Sequence, residues 1–326
     1  MARIFTYIMH KGGAVDDTAF ELAAAARRID PAASPTAILT GWGGNLDDAC
    51  KALGASYPEI WKIAIEALAY PNAELIRGAL VKVLPSNSIV LVAHEHFGID
   101  LAPGLSIKLN SAFVSDVLDI SGVEGAGLKV VRQEFGGQVS AHVRCDISSG
   151  AVVTVRPGAF KPQEGAAITG AVVDKSADVG ALAAGRRYVE TVVAEAGDVD
   201  ITKHNILVSI GRGIQEKENV SIAEELAEAL GAAVSCSRPV VDAKWMEKSR
   251  QVGSSGKTVK PKVYLACGIS GSFQHLAGIK GSPLLIAINK NPKAPIFQVA
   301  DVGIVDDILE FLPELTNRVR EMRSAA

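Results

Sequence analysis

The chain is poor in cysteine, with four in 326 residues, Cys50, Cys145, Cys236 and Cys267, and no C-x-x-C pair. That spacing argues against an iron–sulfur cluster, a zinc knuckle or a disulfide framework and leaves buried, reduced thiols as the reading. No long run of like charge interrupts the sequence and the net charge is only -3, so neither nucleic acid nor an anionic membrane surface is an expected partner. No apolar window approaches the length of a membrane span. The apolar start, Ile4 to Met9, is too short for the core of a signal peptide and is followed by Lys11-Gly12-Gly13. Direct membrane insertion is therefore not expected, and the cytoplasm or a comparably reducing compartment is the expected location. Aromatics make up only 5%, whereas Gly and Ala are abundant, which suits helices packed closely on sheets.

The length suits two domains. The first half alternates strand and helix signals: strands over 4–9, 36–40 and 88–93, helices over 18–28 and 73–83. That order points to a mostly parallel α/β sheet. Residues 128–134 and 139–144 flank Gly136-Gly137 and read as a hairpin, with a further strand over 151–155 before Pro157-Gly158. A helix over 180–196 is expected to precede a domain boundary near 196–203, giving an N-terminal α/β domain (1–198) and a C-terminal Rossmann-like domain (199–326). The second half restarts the pattern with strands over 206–210, 233–236, 263–267 and 284–289. Ser221-Ile-Ala-Glu224 reads as a capping box opening a helix that ends at Leu230, with Gly231 in the left-handed cap position. A closing amphipathic helix is expected over 306–320.

Three strand exits in the second half share Gly, Ser and Arg: Ser209-Ile-Gly-Arg-Gly213, Ser235-Cys-Ser-Arg238 and Cys267-Gly-Ile-Ser-Gly-Ser272. Ligands of open α/β sheets bind outside the carboxyl ends of strands, and glycine there lets a phosphate approach the backbone. Arg212 and Arg238 add fixed positive charge. Glycine at strand ends is also ordinary turn chemistry, and the G-x-G-x-x-G fingerprint is missing, so these features alone indicate only a possible nucleotide site. His94-Glu95-His96 lacks the i, i+4 spacing of a helical metal site and reads as structural. Trp42, Trp61 and Trp245 read as packing or interface residues, and Lys257 and Lys260 as solvated loop lysines.

Four segments follow in order: Val252-Gly-Ser-Ser-Gly-Lys257, Tyr264 to Gly278 with Gly-Ile-Ser-Gly-Ser-Phe-Gln-His-Leu-Ala-Gly at its end, Ala287-Ile-Asn-Lys290, and Ala294-Pro-Ile-Phe-Gln-Val-Ala-Asp301. Together they resemble the flavin domain of electron transfer flavoprotein alpha subunits, strongly over about 205–318. The first domain resembles that family more loosely, through its α/β pattern and Thr154-Val-Arg-Pro-Gly158.

The resemblance implies one FAD held without a covalent bond. It places Arg212 on the phosphate side, Ser237 and Arg238 at the isoalloxazine, and Val252, Gly253, Ser254 and Ser255 along the flavin, with the Ser255 hydroxyl near N5. Many relatives have Thr at that last position, so the orienting methyl is lost here. Gly268, Ser270, Gly271, Ser272, Phe273 and Gln274 would wrap the ribityl and pyrophosphate, and His275 would donate to the pyrimidine edge near O2. Asn289 would bind the ribityl–pyrophosphate or adenosine portion, with Asp307 and Ile308 at the adenosine end. A guanidinium at Arg238 would stabilise negative charge on reduced flavin.

The implied function is electron carriage, in a heterodimer with a beta subunit packed against the first domain. Electrons would pass from a flavin dehydrogenase, such as an acyl-CoA dehydrogenase of fatty acid oxidation, to a quinone oxidoreductase or another acceptor. The 196–203 linker would serve as a hinge. Two other readings stay open: an NADH-oxidising, electron-bifurcating complex with a second FAD in the beta subunit, and a non-redox nucleotide-binding protein.

Overall fold

A computed structural model describes residues 3–162, 169–191, 199–281 and 283–324. The chain divides into two compact units, Met1–Glu190 and Thr191–Ala326.

The first unit runs β1 (Ile4–Tyr7), α1 (Asp17–Ile29), β2 (Thr36–Gly41), α2 (Asn45–Leu53), β3 (Glu59–Ala64), α3 (Ala73–Val83), β4 (Ile89–Ala93), α4 (His96–Leu109), β5 (Ala112–Glu124), β6 (Gly127–Glu134), β7 (Val139–Asp146), β8 (Ala151–Val155), β9 (Ala171–Asp174) and α5 (Ser176–Val179). Its nine strands lie in the order β7-β6-β5-β8-β4-β1-β2-β3-β9. The pairs from β5 to β9 across the middle are parallel, whereas β5, β6 and β7 are antiparallel. The central strands read as unbroken apolar runs because helices cover both faces; all five residues of β4 are buried. One apolar layer gathers α1 and α2, the other α3 and α4.

The expected hairpin forms, with Val139 opposite Glu134. The 180–196 helix does not form in its described part. Gly180, at φ 58°, ends α5, and the segment after it is held by side chains of α3 and α4. Glu74 accepts the Gly185 and Arg186 amides at 2.7 and 3.1 Å, and the Arg186 guanidinium spans Asp100 at 2.6 and 3.0 Å. Residues 192–198 lie outside the described residues.

His94 and Arg156, just past the ends of β4 and β8, form a polar cluster with Asp116 inside β5. The Arg156 Nε donates to Asp116 Oδ1 at 2.8 Å, its Nη2 to the other carboxylate oxygen at 2.5 Å, and its Nη1 to Gln133 at 2.7 Å. His94 Nδ1 meets the Thr154 hydroxyl at 2.9 Å. Asp116 sits at φ 59°, where β5 shifts register against β8, and the shift turns its carboxylate onto the arginine. His94 is thus engaged by Thr154, with Asp116 beside it, and no group of three potential metal ligands occurs among the described residues.

The second unit runs β10 (Ile206–Ile210), α6 (Val220–Leu230), β11 (Ala233–Cys236), α7 (Arg238–Asp242), β12 (Val263–Cys267), α8 (Phe273–Leu276), β13 (Leu284–Ile288), β14 (Val302–Ile304) and α9 (Ile308–Ser324). All five strands are parallel, in the order β11-β10-β12-β13-β14. The order reverses between β10 and β12, so a crevice opens between their carboxyl ends. One apolar layer joins α6 and α9 to the sheet, and the other holds Tyr264, Leu207, Val252 and Ile296. Gly231 takes the left-handed cap at φ 65° as expected. The capping box does not form: the helix already begins at Val220, so Ser221 lies inside its first turn and its hydroxyl donates to the Glu218 carbonyl at 3.0 Å. Cys50, Cys145, Cys236 and Cys267 are all buried and free, and burial pushes the Cys236 and Cys267 thiols up to about 12, which keeps them as unreactive thiols.

Candidate cofactor site

A cavity of about 520 Å³ lies over the carboxyl ends of the second sheet, at the reversal of strand order. Its floor is backbone. Gly211 and Gly213, after β10, face Gly268, after β12, and the Gly211 and Gly213 amides donate to the Cys267 and Gly268 carbonyls at 2.9 and 3.1 Å. A Cβ on Gly213 would stand 2.6 Å from the Gly268 Cα, and one on Gly268 would stand 2.7 Å from the Gly213 Cα. Gly268 also takes φ +65°, so any side chain there meets both strain and a clash.

The walls are polar. Ser237, Ser270, Ser272, Asn289 and Gln215 supply hydroxyl and amide groups, and Arg212 and Lys290 supply positive charge. Asn289 is fixed twice over: its Nδ2 donates to the Ile269 carbonyl at 2.9 Å and its Oδ1 accepts the Asn291 amide at 2.9 Å. Lys290 Nζ pairs with Asp307 at 2.5 Å, and that bond holds the Asp307 carboxyl below the usual carboxylate range. Asp307 caps α9: its Oδ1 accepts the Leu309 amide at 3.0 Å.

His275 is buried at the cavity wall, on α8, with its Nε2 2.9 Å from the Tyr264 hydroxyl. Burial moves its pKa down to about 4, so the ring is neutral. Nδ1 is buried without a hydrogen bond of ordinary geometry, and the Val252 backbone carbonyl beside the ring opposes the shift.

Of the residues singled out in the sequence, Arg212, Ser237, Gly268, Ser270, Ser272, His275, Asn289, Asp307 and Ile308 line this cavity. The others stand behind or beside it. Val252 is buried, and its amide donates to the Cys236 carbonyl at 2.9 Å, which carries the 252–256 loop to the end of β11. The Ser254 amide donates to the Gln274 carbonyl at 2.7 Å, tying that loop to α8. Gly253 packs on the same helix, where a Cβ would stand 2.9 Å from the Gln274 oxygen. The Ser255 hydroxyl accepts from Gln251 Nε2 at 2.9 Å. Gly271 lies against the Ile296 backbone, and Phe273 is exposed. Arg238 is exposed and pairs with Asp242 one helical turn on, at 3.3 Å. Lys257, expected in solvent, pairs with Asp200 at 3.2 Å.

Gly211, Gly213, Gln215, Pro239, Ile269 and Lys290 also line the cavity. Lys290 adjoins Asn289 in a segment already singled out. Gln215 had no signal in the sequence: it reaches the cavity through a tight turn at φ 71°, ψ -52°, closed by the Glu216 amide on the Ile214 carbonyl at 2.9 Å.

Residues 4–196 match the family model described as the electron transfer flavoprotein domain, and residues 200–280 match the one described as the electron transfer flavoprotein FAD-binding domain. The chain belongs to the electron transfer flavoproteins. It is 42% identical over 232 residues to the electron transfer flavoprotein subunit alpha of Methylophilus methylotrophus, covering 70% of each chain. It is 40% identical to that of Clostridium acetobutylicum over 237 residues, 71% of this chain and 70% of the relative. It is also 31% identical over 326 residues, 97% of this chain and 76% of the relative, to the lactate dehydrogenase (NAD(+),ferredoxin) subunit LctC of Acetobacterium woodii. The flavoprotein is thus of the alpha-subunit type, and its second domain binds FAD. The FAD-binding match stops at residue 280; Asn289, Asp307 and Ile308 lie beyond it and line the same cavity. No helix among the described residues is long and apolar enough to cross a membrane.

The donor set fits FAD. A pyrophosphate is matched by a close-packed glycine floor beside Arg212 and Lys290, and hydroxyl-rich ribityl and ribose by Ser270, Ser272, Asn289 and Asp307.

Proposed function

We propose that this electron transfer flavoprotein carries electrons through one FAD held in the cavity over β10–β14, as the alpha subunit of a heterodimer. The observation that carries the reading is the position of the glycine floor at the β10/β12 reversal, inside the span that matches the FAD-binding family model. FAD supplies reversible electron uptake when bound. The chain's own residues do the rest. Arg212 and Lys290 neutralise the diphosphate, Asn289 and Asp307 orient the chain between diphosphate and adenosine, and Ser237 and His275 close the wall at the ring end. Ser254 and Ser255 lie on the loop that the Gln274 carbonyl clasps, which brings their polar groups beside α8. Arg238 would turn from Asp242, its partner at 3.3 Å, towards negative charge on reduced flavin. The first domain, residues 1–198, is the scaffold for the beta subunit, and residues 199–326 form the FAD domain. The donor is a flavin dehydrogenase, such as an acyl-CoA dehydrogenase, the acceptor is a quinone oxidoreductase or another acceptor, and the flavoprotein itself works in the cytoplasm.

A second reading, electron bifurcation with NADH and a second FAD in the beta subunit, has one relative behind it, although the mitochondrial subunit alpha of Arabidopsis thaliana aligns along 96% of this chain as well. The relative named for NAD(+) and ferredoxin aligns along 97% of this chain. The test is a flavin count on the co-expressed heterodimer with an NADH titration. One FAD, no bleaching by NADH, and bleaching by a reduced acyl-CoA dehydrogenase support the simple carrier. Two FAD and bleaching by NADH replace it with the bifurcating complex.

A further inference from the structure

Residues 181–188 form neither helix nor strand, and all but Leu182 are exposed, yet side chains of α3 and α4 hold the segment along its length. Leu182 packs on the apolar layer of those helices. The Ala181 carbonyl accepts from Lys82 Nζ at 2.6 Å. One oxygen of Glu74 accepts the Gly185 and Arg186 amides at 2.7 and 3.1 Å, and the other lies 3.4 Å from Arg186 Nε. The outer nitrogens of the same guanidinium take both oxygens of Asp100 at 2.6 and 3.0 Å. Asn72, the cap of α3, donates its Nδ2 to the Arg186 carbonyl at 3.0 Å. Tyr188 stacks on Tyr70 with ring centroids 3.5 Å apart.

Arg186 is the hub of this set: its amide, its carbonyl and its guanidinium each engage α3, α4 or the cap of α3. Exposed ion pairs contribute little one by one, but a bidentate arginine shared by two carboxylates is the geometry in which they hold. A segment fastened by apolar burial would open only with the domain. This one buries little beyond Leu182 and is fastened by charge at the water boundary, so it can open by itself when that charge is screened. We propose that residues 181–188 are an ionic clasp, pinned by Arg186, that fixes where the chain leaves the body of the first domain and that opens as ionic strength rises. Val179 is buried and Gly180 ends α5, so the opened segment peels back to Gly180. The exit point then moves from Tyr188 to Gly180, which lengthens the connection to the second domain by up to about 27 Å of extended chain. The clasp is a property of the first domain and does not depend on the FAD reading.

The experiment uses the full chain co-expressed with its beta partner, and hydrogen–deuterium exchange reads the clasp at the Gly185 and Arg186 amides. At about 0.01 M sodium chloride both should exchange at least about tenfold more slowly than in an unstructured peptide of the same sequence. Arg186→Ala, which alters the exposed segment and leaves both helices intact, should remove that protection. About 1 M sodium chloride, where the screening length falls to about 3 Å, should remove it from wild type as well. Arg186→Lys, which keeps the charge and loses the fork, should fall between the two. A second arm leaves the segment's own sequence untouched. In Glu74→Gln, Asp100→Asn, trypsin should cut after Arg186 and Arg187 at least about tenfold faster than in wild type, with the circular dichroism spectrum unchanged. Unprotected amides in wild type at low salt, or protection that survives Arg186→Ala or high salt, overturns the proposal. Equal tryptic cleavage of wild type and a folded double variant overturns it too.

Discussion

Two glycines of the second domain share the same positive φ and differ in what surrounds them, and Gly268→Ala against Gly231→Ala separates the two effects. Both sit at φ +65°. An alanine in the left-handed region costs about 1–2 kcal/mol at either site. At Gly231, the cap of α6, the new Cβ would find only the Arg323 Nη2 at 3.7 Å, an ordinary contact with a mobile side chain. At Gly268 it would stand 2.7 Å from the Gly213 Cα, 3.1 Å from the Gly213 nitrogen and 3.0 Å from Ile308 Cδ1. Two of these are backbone atoms of the cavity floor and cannot rotate away, and overpacking of this kind adds about 1–3 kcal/mol. Gly231→Ala should therefore lose about 1–2 kcal/mol and Gly268→Ala about 2–5 kcal/mol. With Trp42 and Trp61 replaced by Phe, Trp245 alone reports on the second domain, and urea unfolding of flavin-free protein gives the loss from the midpoint shift at unchanged slope. FAD affinity should fall in Gly268→Ala and stay at the wild-type value in Gly231→Ala. Equal midpoints and equal affinities would refute the claim that the floor is a backbone-to-backbone contact.

Three further outcomes follow from the same geometry. The His275 pKa, down to about 4 against 6.5 for the free side chain, means that the unfolded state binds the extra proton between those values. Stability of flavin-free protein should then fall as pH drops from 6.5 to 4, by up to about 3 kcal/mol, and His275→Gln should flatten that slope in urea titrations. Lys290→Ala should let the Asp307 carboxyl rise towards its ordinary value, seen by carboxyl ¹³C titration; because its folded pKa is depressed, the stability it contributes is present at neutral pH and is lost as pH falls through that folded value. In the first domain, Arg156→Ala and Asp116→Ala should each cost about 2–4 kcal/mol but show about 1–3 kcal/mol of coupling in the double variant, since the pair is bidentate and largely enclosed. Strict additivity would contradict that account.

The elements most legible in the sequence were those with an unbroken apolar run between breakers. The strands over 151–155, 206–210, 233–236 and 263–267 and the helix over 73–83 stand at the expected bounds. Less legible were elements whose pattern depends on the tertiary setting. The 13-residue β5 carries charged and half-buried residues because its far part leaves the parallel core for the antiparallel extension. The α4 helix contains Pro103, and α2 opens on Gly44 without a side-chain cap. The helix expected over 180–196 fails in its described part, 180–191: the composition was right and Ala-rich, but its arginine and amides found carboxylates on α3 and α4. At the cofactor site, the glycines and polar residues at strand ends were readable because sheet topology forces them together. Gln215 was not, since its place depends on a strained turn, and neither was the link from Tyr264 to His275, which joins a strand interior to a helix across a buried layer.

The central claim is that FAD occupies the cavity over β10–β14, and Ser270 offers the most direct test. Its hydroxyl has no partner among the described residues, it is exposed at the cavity wall, and its carbonyl keeps the Ile296 amide at 3.0 Å whatever the side chain. Ser270→Trp should therefore fill the cavity and leave the fold intact. The measurement is the FAD-to-protein ratio of purified heterodimer, from flavin absorbance, alongside circular dichroism. Wild type should be yellow, and the variant should have lost the flavin of this chain with an unchanged dichroism spectrum. A folded Ser270→Trp variant that retains its full flavin content would contradict the account.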